Sequence, residues 1–204
     1  MSYFEGFLLG LGTIVFIGPV FFVVLDNTLK YGKLAGFFVS IGILLSDISY
    51  IILYRKALFK SIEPYIDGAY TYLVFIAILV TLGISNLWKP VAKTPRGKTF
   101  KNHFLVQISK GFSINFLNPF VALFWVGVFK YTSLKFTNAE QFNFLCASLL
   151  GIFLIDMLRV LFSSIIKTYL TPKVLKTTHQ IIGALFLISA SILVFKMVNY
   201  QEIS

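Results

Sequence analysis

Charge is what this sequence has least of. Only 13% of its 204 residues are Asp, Glu, Lys or Arg, where a soluble domain carries about 25%. A single cysteine, Cys146, rules out an intrachain disulfide and a cysteine metal cluster. There are two histidines, His103 and His179, and both fall in polar stretches, so no metal site inside the apolar runs is expected. Eight acidic residues against eighteen basic ones leave a net charge of +10. In a soluble protein that excess would point to nucleic acid. Here the basic residues sit in short links between apolar runs, so no nucleic-acid partner is expected. The first apolar run has Glu5 and no Lys or Arg ahead of it. A secretory signal peptide needs a basic start, so the run reads as a retained helix.

What is present is apolar. Hydrophobic residues make up 57% of the chain, and the mean hydropathy is +0.85. Runs of about 20 apolar residues, the length that spans a bilayer, recur along almost the whole sequence. No soluble core could bury them all. The expected fold class is therefore an all-α polytopic membrane protein with six transmembrane helices and the lipid bilayer as its first partner.

The runs cover about residues 3–28, 34–54, 69–88, 111–130, 142–166 and 180–198. Residues 89–110 form the long polar stretch, with Pro90, Pro95, Gly97 and several lysines. This divides the chain into a first three-helix half, 1–88, a cytoplasmic linker, 89–110, and a second half, 111–204. Eleven Lys and Arg fall in the links after the first, third and fifth runs, and six on the other side. The positive-inside rule then places the linker in the cytoplasm and both termini outside.

Two runs contain a proline in mid-course. One is Gly10-Leu11-Gly12-Thr13-Ile14-Val15-Phe16-Ile17-Gly18-Pro19. The other is Lys110-Gly111-Phe112-Ser113-Ile114-Asn115-Phe116-Leu117-Asn118-Pro119. Proline removes a backbone donor and clashes with the preceding turn, so helices 1 and 4 should break or kink at Gly18, Pro19 and Pro119. Within a membrane the freed backbone groups must be satisfied by protein or by a cavity. Interrupted segments in matching places of two halves point to a transporter's binding site.

The second helix of each half carries an echo, Gly42-Ile43-Leu44-Leu45-Ser46-Asp47 against Gly151-Ile152-Phe153-Leu154-Ile155-Asp156. Three helices per half make the second half enter from the opposite side, an inverted repeat. Pro19, Asp47, Pro119 and Asp156 then all fall near the bilayer midplane.

These residues carry a resemblance. Ile17-Gly18-Pro19, the glycines Gly32, Gly36 and Gly42 leading to Asp47, and above all Gly111-Phe112-x-x-Asn115-x-x-Asn118-Pro119 with Asp156 resemble the lysine-exporter and homoserine/threonine-resistance family of bacterial amino-acid exporters. The likeness spans nearly the whole chain. It implies a bacterial inner-membrane secondary transporter, not an enzyme and with no catalytic residues, that exports amino acids or related zwitterionic metabolites and runs as an antiporter against proton entry. Two positions depart from the family pattern: Ile17 stands where a second proline is usual, and Arg159 where an apolar or aromatic residue is expected.

A carboxylate at mid-membrane costs about 2.5–3.5 kcal/mol on insertion scales, so Asp47 and Asp156 must face the bundle interior, a cavity or a partner. Either can bind a substrate ammonium or take up a proton; the plain alternative is a protonated Asp bonded to a neighbouring helix. Arg159, three residues after Asp156, can neutralise it, offer a fork to a substrate carboxylate, or snorkel to the interface. Asn115 and Asn118 can touch substrate or satisfy backbone groups freed by Pro119. Asp26 reads as an interfacial charge. No cofactor and no metal is expected. A metal-ion exporter would need more converging carboxylates or histidines, and a membrane-embedded enzyme would need a nucleophile with a base or a catalytic Asp pair. A homo-oligomer is compatible with the sequence.

Overall fold

The computed structural model describes residues 1–55, 69–88, 104–169 and 171–201. Among these the chain is helical, without strands: α1 Ser2–Gly12, α2 Pro19–Tyr31, α3 Lys33–Arg55, α4 Ala69–Leu87, α5 Phe104–Phe116, α6 Pro119–Lys135, α7 Asn138–Leu161, α8 Ser163–Tyr169 and α9 Pro172–Gln201. A 3₁₀ turn, Thr13–Val15, extends α1. The protein is an all-α polytopic membrane protein. By length and composition α3 and α7 can each cross a membrane. The segments Ser2–Val15 and Pro19–Tyr31, bent by 72°, and α5 and α6, bent by 65°, each count as a further span if the bent pair is taken as one.

Both bends fall where proline was expected to act. Pro19 and Pro119 occupy the first turn of α2 and α6, the one helical position where a missing N–H costs nothing. A proline that would break a helix from within instead starts a new one.

Two boundaries differ from the sequence expectation. Helix α5 begins at Phe104, although 89–110 reads as a linker; residues 89–103 lie outside the described residues. Gln107 and Lys110 look like loop residues, yet Gln107 is buried, and the Lys110 Nζ donates to Asn27 Oδ1 at 3.0 Å. Helix α9 begins at Pro172, and His179 lies within it rather than in a connection. His103 lies outside the described residues.

The chain forms two compact units. Residues 1–55 and 94–168 make the first, and residues 56–93 and 169–204 the second. In the second unit α4 packs along α9, with Gly83 against Leu187 and Gly183 against the Gly83 carbonyl. The first unit holds both broken helices and both buried aspartates.

Within it the helices pair crosswise: α1 lies on α7, and α5 lies on α3. Each contact is made close by glycine. A Cβ on Gly10 would meet the Gly151 Cα at 2.8 Å, and a Cβ on Gly42 would meet the Phe112 nitrogen at 2.8 Å. Real Cβ atoms do not sit so close, so backbone contact at these points requires glycine, as in small-residue packing between membrane helices. Val24, Val39, Ile43 and Val160 form the apolar core beside these contacts, joining α2, α3 and α7.

Candidate functional site

The fifth turn of α3 brings Asp47 to the second bend. Its Oδ1 accepts from Asn115 Nδ2 at 2.8 Å and from Trp125 Nε1 at 2.9 Å. Asn115 belongs to the last turn of α5 and Trp125 to the second turn of α6, so one carboxylate oxygen bridges both arms of the broken pair. The Asn115 amide also reaches Ser46 Oγ at 3.1 Å and the Ile43 carbonyl at 3.3 Å. Asp47 is only 3% exposed. Among the described residues no Lys or Arg forms an ion pair with it.

Asp156 is arranged differently. Arg159 Nη1 donates to its Oδ1 at 2.8 Å. Nη2 of the same guanidinium donates to the Thr13 carbonyl at 2.8 Å and to the Phe16 carbonyl at 3.3 Å. Those carbonyls flank the 3₁₀ turn at the first bend; the Thr13 carbonyl also accepts the Phe16 N–H at 3.0 Å, while the Phe16 carbonyl follows the turn, where a broken helix leaves acceptors to be satisfied by other groups. Arg159 also lies 5.4 Å from the centre of the Phe21 ring in the first turn of α2. The residue is buried, so it does not snorkel, and both of its terminal nitrogens donate within the protein. The second oxygen, Asp156 Oδ2, is buried with no hydrogen-bond partner.

The first bend has a counterpart at the second. Tyr50, three residues after Asp47, donates its hydroxyl to the Phe116 carbonyl at 2.7 Å. Each aspartate of a straight helix is thus followed, one turn on, by a donor that ties down a bend: Tyr50 the end of α5, Arg159 the end of the 3₁₀ turn after α1.

Of the residues expected from the sequence, Asp47 and Asn115 are in direct contact, as are Asp156 and Arg159. Asn118 is turned to its own helix, where Oδ1 accepts from the Phe120 N–H at 3.0 Å and caps α6. Gly18 occupies the same place before α2 without a side-chain cap. Asp26 pairs with Lys30 at 2.8 Å and stays partly exposed, as an interfacial charge should.

Sequence reasoning missed Trp125 and Tyr50. Aromatic residues near span ends read as interfacial belts, and Trp88 at the end of α4, 78% exposed, is of that kind. Trp125 is fully buried. Its place six residues after Pro119, deep within the run, was the available signal. Tyr50 has none beyond its three-residue offset from Asp47, the same offset as Arg159 from Asp156.

The arrangement suits a membrane site that changes its contents. Two carboxylates lie in a helical bundle, each within one turn of a bend in a helix of the other half of the chain. Among the described residues, one is matched to a cation and the other to neutral donors. Compared with known proteins, the chain matches the family model of the LysE type translocator over residues 11–197. No curated protein and no solved structure matches it.

Proposed function

The chain belongs to the LysE type translocator family, and from that premise we propose that it is an inner-membrane secondary transporter that exports amino acids or related small zwitterionic metabolites in exchange for protons. A membrane translocator acting on a small-molecule solute is what membership alone supplies. The finer reading rests on one observation: Asp47, buried and with no cation paired to it among the described residues, holds both arms of the α5–α6 bend through Asn115 and Trp125.

Magnitudes divide the work between the two aspartates. Removing one partner of a buried ion pair costs about 3–5 kcal/mol, so Arg159 fixes the charge of Asp156. Hydrogen bonds to a charged group contribute about 1.5–3 kcal/mol each and supply no opposite charge. The charge on Asp47 is left for a proton or a substrate ammonium to balance. Exchange of one for the other alters the acceptor that Asn115 and Trp125 share, and so couples the contents of the site to the bend. Asn118 acts by setting the start of α6, while Gly18 leaves the start of α2 open to a substrate carboxylate.

The crossed pairing of α1 with α7 and α5 with α3, each through a glycine contact, supports two inverted three-helix repeats, the second beginning with α5 at Phe104, joined by a cytoplasmic linker. Both termini then face outside. The test is a panel of labelled amino acids offered to inverted vesicles with a proton gradient of either sign. Gradient-dependent uptake of at least one zwitterion supports the reading. Gradient-independent uptake removes the proton, and uptake of no amino acid removes the cargo.

A further inference from the structure

The features of the first bend that attract positive charge all meet at one group. Asp156 Oδ1 lies 2.8 Å from Arg159 Nη1, and the Thr13 and Phe16 carbonyls lie 2.8 and 3.3 Å from Nη2. Those carbonyls stand at the C-terminal end of α1 and its 3₁₀ turn, the negative pole of a helix dipole. Arg159 Cζ lies over the Phe21 ring, 5.4 Å from its centre, and the face of a ring attracts a cation. Asp156 is 1% exposed and Arg159 8%, so the solvent screens little of this attraction. A carboxylate beside backbone carbonyls at an interrupted membrane helix is the kind of ligand set that secondary transporters offer to a coupling cation. Here it holds a guanidinium.

The second bend shows that a tie alone needs no charge. Tyr50 stands at the same offset from Asp47 as Arg159 from Asp156, and its hydroxyl reaches the Phe116 carbonyl at 2.7 Å. Asn115 and Trp125 give Asp47 neutral donors. A phenol and two neutral groups thus hold that bend. The guanidinium at the first bend supplies one thing more, a fixed positive charge.

We propose that the first bend is a monovalent-cation site filled by the protein's own Arg159, a tethered guanidinium in the place of a free coupling ion. Built this way, the bend carries its cation with it, and no free ion enters or leaves there. That consequence rests on the transport reading; the site itself does not. Shortening Arg159 then uncovers a site of definite chemistry: the Asp156 carboxylate, the two carbonyls and the Phe21 ring. Asp156 Oδ2 is buried and has no hydrogen-bond partner among the described residues, so both carboxylate oxygens become available to a free ion. Guanidinium is the cation that suits it best, because its planar fork matches a carboxylate.

Chemical rescue of the full chain in detergent tests this without a substrate. Arg159→Ala should lower the unfolding midpoint. Guanidinium chloride at millimolar concentration, far below what unfolds proteins, should raise it again. The rise should grow with concentration, as for any ligand that binds only the folded state. Tetramethylammonium chloride, a cation without N–H donors, should have no such effect, and guanidinium should not stabilise the wild type or Arg159→Ala combined with Asp156→Asn. A midpoint that guanidinium leaves unmoved, or that rises equally with tetramethylammonium or in the doubly substituted chain, overturns the proposal. Where Arg159→Ala does not accumulate, Arg159→Lys is compared with Arg159→Gln, which keeps donors without the charge. A higher yield and midpoint for Arg159→Lys support the cation site, and equal behaviour of the two overturns it. Guanidinium rescue in a protein that carries no zwitterion leaves the cation site and removes the cargo. Zwitterion export by the wild type with no rescue of Arg159→Ala leaves the cargo and removes the cation site.

Discussion

Tyr50 and Arg159 do the same work with different chemistry. Each lies three residues after a buried aspartate, and each donates to a carbonyl at a helix bend, Tyr50 to Phe116 at 2.7 Å and Arg159 to Phe16 at 3.3 Å. The phenol brings no charge to Asp47, whereas the guanidinium neutralises Asp156. From that difference follows the division of roles between the two aspartates.

Arg159→Leu strands a buried carboxylate and should cost about 3–5 kcal/mol of stability, read as a lower unfolding midpoint in detergent. Adding Asp156→Asn removes the stranded charge and should restore most of that loss. Transport by the double variant should stay low, because the guanidinium that ties α7 to the Thr13 and Phe16 carbonyls is gone. Recovery of transport together with stability would reduce the pair to a neutral filler.

Tyr50→Phe keeps the ring and removes one hydrogen bond, a loss of about 0.5–1.5 kcal/mol. The protein should insert and fold normally while export slows severalfold. Wild-type export by Tyr50→Phe would show that the α5 bend needs no tie.

Gly42→Val forces a branched side chain against the Phe112 backbone. Overpacking of this kind costs about 1–3 kcal/mol, and more where the opposing atoms are backbone. Accumulation in the membrane and thermal stability should both fall, and Gly151→Val should behave alike against Gly10. Tolerance of Gly42→Val at wild-type stability would contradict the α3–α5 contact.

Orientation is read with reporters. One fused after Ser204 should report the external side and one inserted near Gly97 the cytoplasm. Reversed signals, or both on one side, would overturn the topology drawn from the charges.

The apolar runs, both prolines and both aspartates were legible in the sequence because each is a local signal, a run length or an unusual residue in an apolar setting. The contacts made by those residues were not. Nothing local says that Asp47 meets Asn115 and Trp125, which lie 68 and 78 residues away. Arg159 shows the limit best. Its spacing from Asp156 allowed the pair as one of three readings, but gave no sign of the reach to Thr13, 146 residues away. Gln107 and Lys110 misled in the other direction, since their polarity hid a helix whose polar groups face other helices.

The central claim is that transport requires a titratable group at position 47. Asp47→Asn keeps the size of the side chain and the acceptor for Trp125 while removing the charge, so the protein should insert and fold as wild type. Proton-driven uptake of a carried zwitterion into inverted vesicles should then fall to background at every pH tested. Normally inserted Asp47→Asn protein with wild-type uptake would contradict the account and leave Asp156 as the remaining candidate.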